Sequence, residues 1–492
     1  MDSTQTTYKQ AMKATSLFGG VQFVNIIVQI IRSKAIAVFL GTAGMGIYGN
    51  LNSTIILVSG LTNFGLATSA VKDIAAANAS REKDKISLVV TVFRRLVWFT
   101  GLLGMLITLL FSSFLSELIF GNKDYTIAFI WMSITLLFNQ LTSGNLVVLQ
   151  GMQRLQSLAK ANLLGSLVGL CIVLPLYYFL GIDGIVPGII SASLLSMLFS
   201  WLFFRRVGVS PVPVSSQTVL REGKNMLHAG LLISLSGILT LLSSYIVRIY
   251  ITQANGLETA GLFDAGFVIT NIYFGLIFNA MSTDYYPRLS ANNQDNALCN
   301  RLINEQSEIA VLLLTPVLIA FLVFINWIIV LLYSRQFVPI SGMLYWIAIG
   351  LFFKVISWSI SFVFLAKSAA KTFFHNELIV NSYILLFYLI GYKYGGLTGI
   401  GFSFFISYFL YSIQVFFVAR KKYSFSFNPS LKKSLLVQFI FAGIAFAVIH
   451  IFSGVYSYIL GSLLLILSAV YSLYELDKRI NIKEIFKKMK EK

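Results

Sequence analysis

Four cationic side chains sit in stretches where water is scarce. Arg32 and Lys34 lie inside Val28–Tyr48 (VQIIRSKAIAVFLGTAGMGIY), Arg248 inside YIVRIYI, and Lys354 inside GLFFKVISWSISFVF. Each run is apolar enough for a bilayer-spanning helix, where a cation costs roughly 2.5–3.5 kcal/mol on insertion scales. Such groups therefore face a protein interior or a wet cavity, and a wide cationic cavity holds an anion. The acids deep in a span are Asp264 and Asp284, which can act as counter-ions, proton carriers or interhelical ties. Four cations against two acids leave a surplus of about two positive charges, close to the charge of a diphosphate, and arginine binds phosphate oxygens as a bidentate fork. Purely structural pairing and snorkelling to an interface are the competing readings; the second suits Arg248 better than Lys34. Asn139, Gln140 and Asn145 form a polar stripe in one span, either interhelical glue worth ~0.6 kcal/mol per bond or a wall facing sugar. The sugar-facing wall is the reading carried forward.

The elements that must position these groups are transmembrane helices. The chain has 492 residues, 57% hydrophobic, 14% aromatic and 11% charged. Apolar runs of about 20 residues, enough to cross ~30 Å of hydrocarbon, recur from end to end without the alternation of a β-barrel. The fold expected is an all-α polytopic membrane protein with about fourteen spans. The basic residues orient it. Thirty of the 37 Lys and Arg lie in the termini and in the loops after even-numbered spans, three lie opposite (Lys123, Arg335, Lys393), and four lie within spans. Both termini are therefore expected in the cytoplasm. This placement also disposes of a nucleic-acid reading of the net charge of +18. The first span is expected to be retained rather than cleaved. The tail KRINIKEIFKKMKEK reads either as a helix on an anionic leaflet or as a solvated charged segment.

Catalytic and metal chemistry find no support. Cys171 lies in a span and Cys299 in a polar loop, without metal-ligand spacing, and no metalloprotease, P-loop or nucleophile-elbow motif occurs in a supporting context. No cofactor is expected, apart from a coupled proton or other ion. His228 and His375 read as interfacial, and Pro175 and Pro316 are expected to bend their helices.

An internal repeat organises the spans. At an offset of 215 residues Gly46-Ile47-Tyr48 falls on Gly261-Leu262-Phe263, Gly181-Ile182-Asp183-Gly184-Ile185 on Gly396-Leu397-Thr398-Gly399-Ile400, and Arg205-Arg206 on Arg420-Lys421. Residues 1–210 and 211–425 thus read as two six-helix lobes of the same orientation, related by a pseudo-two-fold along the membrane normal. Residues 426–476 add two spans, and 477–492 form the basic tail. Arg248 lies within one residue of the shifted position of Arg32, and Asn139 falls on Lys354, so the cations are expected to meet where the halves meet.

IRSKAIAVFLGTAGMGIY, Gly350–Glu377, YIVRIYI with the GLF that follows, and Gly144–Gln156 together resemble the corresponding spans of bacterial Wzx-type flippases, over Met1 to about Lys422. The resemblance implies the fold of the multidrug/oligosaccharidyl-lipid/polysaccharide (MOP) superfamily. It also implies a flippase that carries undecaprenyl diphosphate-linked oligosaccharide, an O-antigen-type unit, from the cytoplasmic to the periplasmic leaflet of the bacterial inner membrane. Membrane lipids and the polysaccharide polymerase and ligase machinery are the partners it implies. Here Leu351, Phe352 and Phe353 stand before Lys354, where relatives have an acid, so no span-ten acid can couple protons. A drug/cation antiporter of the same superfamily would want a cavity rich in acids. A lipid II or teichoic-acid-precursor flippase shares all the chemistry. A membrane glycosyltransferase or ligase would need catalytic carboxylates or a large outer loop, and the longest such loop, 116–125, is too short.

Overall fold

A computed structural model describes residues 3–480, and among these every regular element is helical. The helices are α1 (Ser3–Phe39), α2 (Gly41–Thr62), α3 (Leu66–Ser80), α4 (Lys83–Leu110), α5 (Ser112–Phe120), α6 (Thr126–Gly151), α7 (Leu155–Leu180) and α8 (Ile185–Arg205). They continue with α9 (Ser216–Val268), α10 (Gly275–Ala291), α11 (Asn296–Leu332), α12 (Ser341–Ala366), α13 (Ala370–Tyr423), α14 (Pro429–Ile451) and α15 (Val455–Ile480). Most of the expected basic tail, including Ile482, Ile485, Phe486 and Met489, lies outside the described residues.

By length and composition ten stretches can cross a bilayer, or eleven if the bent pair α2–α3 is one span. Three of them run to 51, 55 and 54 residues. At ~1.5 Å per residue each would be about 80 Å long, more than twice a bilayer. All three are hairpins. They break at Gly181 (φ 58°), Gly256 (φ 79°) and Gly396 (φ 56°), a region of backbone space that glycine enters without strain. Contacts 16 residues apart in sequence prove the reversals at the last two. Arg248 meets Asp264 across Gly256, and Ser403 Oγ donates to the Phe387 carbonyl at 2.7 Å across Gly396. At the first, α7 packs on α8 where Gly188 faces the Tyr177 ring. Opening each hairpin into two crossings gives fourteen, as the hydropathy pattern indicates.

The repeat is written in the backbone. Non-helical turns with positive φ recur at Gly41 and Gly256, Gln153 and Ser368, and Gly181 and Gly396, each pair 215 residues apart. The first two spans of each copy also touch reciprocally. A Cβ on Gly46 would strike the Leu257 carbonyl oxygen, and one on Gly261 would strike the Thr42 carbonyl oxygen. Thr42 and Leu257 are themselves equivalent at the same offset, so the contact is self-complementary, as a local two-fold requires. Small residues let helix backbones approach this closely in a membrane, where packing rather than water drives association. Gly46→Val is therefore expected to cost about 1–3 kcal/mol by overpacking. Thermal unfolding in detergent checks it, with Gly443→Ala as a control that meets nothing within 4 Å and leaves stability unchanged or slightly raised.

The chain forms two compact units, Met1–Asp264 and Ala265–Lys492. The lobe boundary expected at 210 falls inside the first unit, because the hairpin α9 packs on α2. Pro175 and Pro316 both lie within their helices; in α11 the non-helical residue is Phe324 (φ −104°, ψ 16°), eight residues beyond Pro316.

Candidate functional site

In the first unit, Arg32 on α1 is half-buried and lines a cavity of about 280 Å³. Tyr48 and Asn52 of α2, Thr135 and Asn139 of α6, Ser166 and Tyr177 of α7, and Ser193 and Ser196 of α8 line it too. No carboxylate is among the lining residues. Arg32 Nε and Thr135 Oγ1 are buried without a hydrogen-bond partner in the protein. The Arg32 Nε–H and the Thr135 hydroxyl can both donate, so the two unsatisfied atoms reward an occupant rich in oxygen. Lys34, also half-buried, lies two residues on.

The polar stripe divides. Asn139 lines the Arg32 cavity. Gln140 and Asn145 instead tie helices together. Gln140 Nε2 donates to Thr100 Oγ1 of α4 at 2.8 Å, and Asn145 Nδ2 to Ser200 Oγ of α8 at 3.2 Å. Both are buried, so their amides are spent on packing, although Asn145 also borders a second, largely apolar cavity beside Arg94, Trp98 and Trp201.

Arg248 is not a free cation. Its Nε donates to Asp264 Oδ1 at 2.7 Å and its Nη2 donates to the same oxygen, the two side chains being 14% and 5% exposed. Asp264 thus is the buried acid that was expected. Asp284 is not; its side chain is 75% exposed and pairs with Arg288 one turn on at 2.8 Å. The reason is length. The helix α10 runs past the apolar stretch, and Asp284 falls on its exposed end.

In the second unit, Lys354 is half-buried and no carboxylate lies within ion-pair distance of it among the described residues. Three rings surround its ammonium instead, Tyr408 at 5.0 Å, Phe404 at 5.7 Å and Phe278 at 5.9 Å from their centroids. Cation–π attraction keeps a charge there without neutralising it. The 215-residue offset explains the contrast with the first unit. Asn139, Val173, Ile189, Ser193 and Ser196 around the Arg32 cavity correspond to Lys354, Tyr388, Phe404, Tyr408 and Tyr411. Four rings stand in the second copy where the first has two aliphatic side chains, two serines and space.

Three buried or half-buried acids escaped the hydropathy reading. Glu377 accepts from Tyr411 Oη at 3.0 Å, and Glu308 and Glu475 hold Arg479. All three occupy helical turns extending beyond an apolar run. His228 and His375 are exposed, as are interfacial residues generally, and line neither region.

A family model described as "Polysaccharide biosynthesis protein" matches residues 11–293, more than half of the chain. The chain belongs to that family. Among curated proteins it is similar to the Lipid III flippase of Escherichia coli (strain K12), 21% identical over 368 residues, 73% of this chain and 86% of that one. Solved structures with a similar fold include the lipid II flippase MurJ in an inward closed conformation, with a TM-score of 0.70 at 14% identity over 94% of this chain and 99% of that one. An inward-facing MATE multidrug resistance transporter of the MOP superfamily has a TM-score of 0.67 at 18% identity, over 84% and 96% of the two chains. This polysaccharide biosynthesis protein is therefore a multi-pass membrane protein of MOP-type fold. The proteins it resembles are transporters and flippases, not enzymes. The matched segment contains Arg32, Lys34, Arg248 and Asp264 but not Lys354.

Proposed function

We propose that this chain is a flippase for polyprenyl diphosphate-linked oligosaccharide, an O-antigen-type unit, carrying it from the cytoplasmic to the periplasmic leaflet of the bacterial inner membrane by alternating access. The observation that carries the reading is the Arg32 cavity, polar, cationic and free of carboxylates. Membership in a polysaccharide biosynthesis family and likeness to a Lipid III flippase support a lipid-linked sugar as cargo. Arg32 receives phosphate oxygens, Asn139 and the serines beside it receive sugar hydroxyls, and Lys354 supplies a second carboxylate-free cation. Lys34 lies in the same span as Arg32 and adds to the local positive field. Translocation breaks no covalent bond, so the proposed step calls for no cofactor apart from a coupled proton or other ion. Both termini are cytoplasmic on this reading, supported by the thirty basic residues on one side. A drug antiporter would place acids, not Arg32, in the cavity.

The test is reconstitution into liposomes carrying fluorescent undecaprenyl diphosphate-oligosaccharide. Faster exchange between leaflets than in protein-free liposomes is expected, and its absence would overturn the reading. Mass spectrometry of lipid-linked sugars that accumulate in cells lacking the protein separates an O-antigen-type unit from lipid II or a teichoic-acid precursor. Lys354→Met is expected to lower the exchange rate roughly tenfold, since a charged hydrogen bond is worth about 1.5–3 kcal/mol; Lys354→Arg should retain most of it. An unchanged rate in Lys354→Met would show that this residue takes no part in transport.

A further inference from the structure

The Arg248–Asp264 pair has an unusual construction for a structural salt bridge. Two guanidinium nitrogens, Nε and Nη2, donate to one carboxylate oxygen, Oδ1, while Oδ2 is buried with no hydrogen-bond partner. A fork facing a carboxylate would satisfy both oxygens. Oδ2 instead is pressed against Gly49, where any Cβ would come within 2.6 Å of the carboxylate carbon. Gly49 and Asp264 are themselves equivalent at the 215-residue offset. In the first copy, glycine stands at this position and Arg32 faces a cavity. In the second, an acid stands there and occupies the arginine. The same face of α2 continues the seam, with Asn50 Nδ2 donating to Thr252 Oγ1 at 2.9 Å and Thr54 Oγ1 in hydrogen-bond contact with Tyr245 Oη at 3.1 Å.

We infer that Asp264 is an internal stand-in for the cargo's phosphate. It holds Arg248 while the diphosphate is absent and cedes the guanidinium when the diphosphate arrives, and the exchange loosens the contact of α2 with the α9 hairpin. Asp264 is thus a positioning residue, acting through Arg248. The inference rests on the flippase reading and adds to it a residue that sets cargo affinity. The half-satisfied carboxylate makes the exchange feasible, since Asp264 gives up two hydrogen bonds rather than a complete set. Arg248, 14% exposed against 5% for its partner, is the member of the pair that a ligand can reach.

The experiment measures binding of undecaprenyl diphosphate, with undecaprenol as the uncharged control, to the full-length protein in nanodiscs, alongside leaflet exchange. Asp264→Asn is expected to bind the diphosphate lipid about tenfold more tightly than wild type, with undecaprenol binding unchanged, and to flip more slowly because nothing reclaims Arg248. A plain structural bridge would give equal or weaker binding, and that result would overturn the inference. The double variant Arg248→Asp/Asp264→Arg restores the pair and with it thermal stability, while exchange stays low; full exchange in this variant would also overturn it. Should Asp264→Asn fail to fold, the double variant carries the test alone. If wild type itself shows no preference for the diphosphate over undecaprenol, it is the flippase reading that fails, an outcome distinct from the two above.

Discussion

Arg32→Glu is expected to abolish leaflet exchange and surface polymer while leaving protein levels near normal. The guanidinium faces a cavity of about 280 Å³ and is the one charged group among its lining residues, so it dominates the charge that an occupant meets. On the proposed reading, reversing that charge turns an attraction for the diphosphate into a repulsion. Truncating one member of a desolvated charge pair typically costs 2–5 kcal/mol, or about 30- to several thousand-fold in an equilibrium constant, and charge reversal lies at the upper end. Folding should survive, because no carboxylate lines the cavity for the new glutamate to oppose. Arg32→Lys keeps the charge but loses the planar fork, and should fall between the two. Asn139→Leu removes a neutral donor from the same wall and is expected to be milder still. Native exchange by Arg32→Glu at matched protein level would show that the cavity is not on the transport path.

These expectations trace back to what the sequence can and cannot carry. The repeat was legible because glycines at turns and close contacts are constrained by sterics, and sterics survive duplication; Gly41 and Gly256 both take a positive φ 215 residues apart. The intramembrane cations were legible as residue types, since apolar neighbours make any charge conspicuous. Their partners were not. Arg248 and Asp264 are 16 residues apart, and only the reversal at Gly256 brings them together. Hydropathy also marks where a span is apolar, not where its helix stops. Asp284 looked buried and is exposed, while Glu308 and Glu475 looked peripheral and are buried. The difference between an open cavity and a filled one was present in the offset, as Ser193 against Tyr408, but becomes meaningful only once both are known to face the same position of their copies.

Arg479→Ala is expected to be among the most destabilising single substitutions outside the transport path. Arg479, near the C-terminal end of α15, presents its fork to Glu308 of α11, with Nη2 to Oε1 at 2.7 Å and Nε to Oε2 at 3.0 Å. Ser430 and Ser434 of α14 donate to Glu308 Oε1 at 3.0 and 2.8 Å. Nη1 of Arg479 donates to Glu475 Oε2 at 2.8 Å, and Lys433 and Lys478 approach Glu475 at 3.7 and 3.6 Å. One guanidinium therefore ties α15 to α11 and α14 and pairs with two carboxylates only 5% and 7% exposed, Glu475 also having Lys433 and Lys478 beside it. Its removal leaves Glu308 buried without a counter-charge, which costs about 3–5 kcal/mol, a large share of the ~5–15 kcal/mol that holds a typical domain folded. Melting should fall by several degrees in detergent and the amount of protein in the membrane should drop. Exchange per folded molecule should stay near wild type, because neither Arg32 nor Lys354 is among the hydrogen-bond and ion-pair partners of the cluster. Replacing the whole cluster, Glu308→Leu with Glu475→Leu and Arg479→Met, removes the stranded charge as well as its partner and should recover much of the loss. If Arg479→Ala melted with wild type, the two C-terminal spans would have to be held by packing and by other bonds, and Gln438, bonded to Ser472 and Ser468 at 2.7 Å each, would be the next tie to cut.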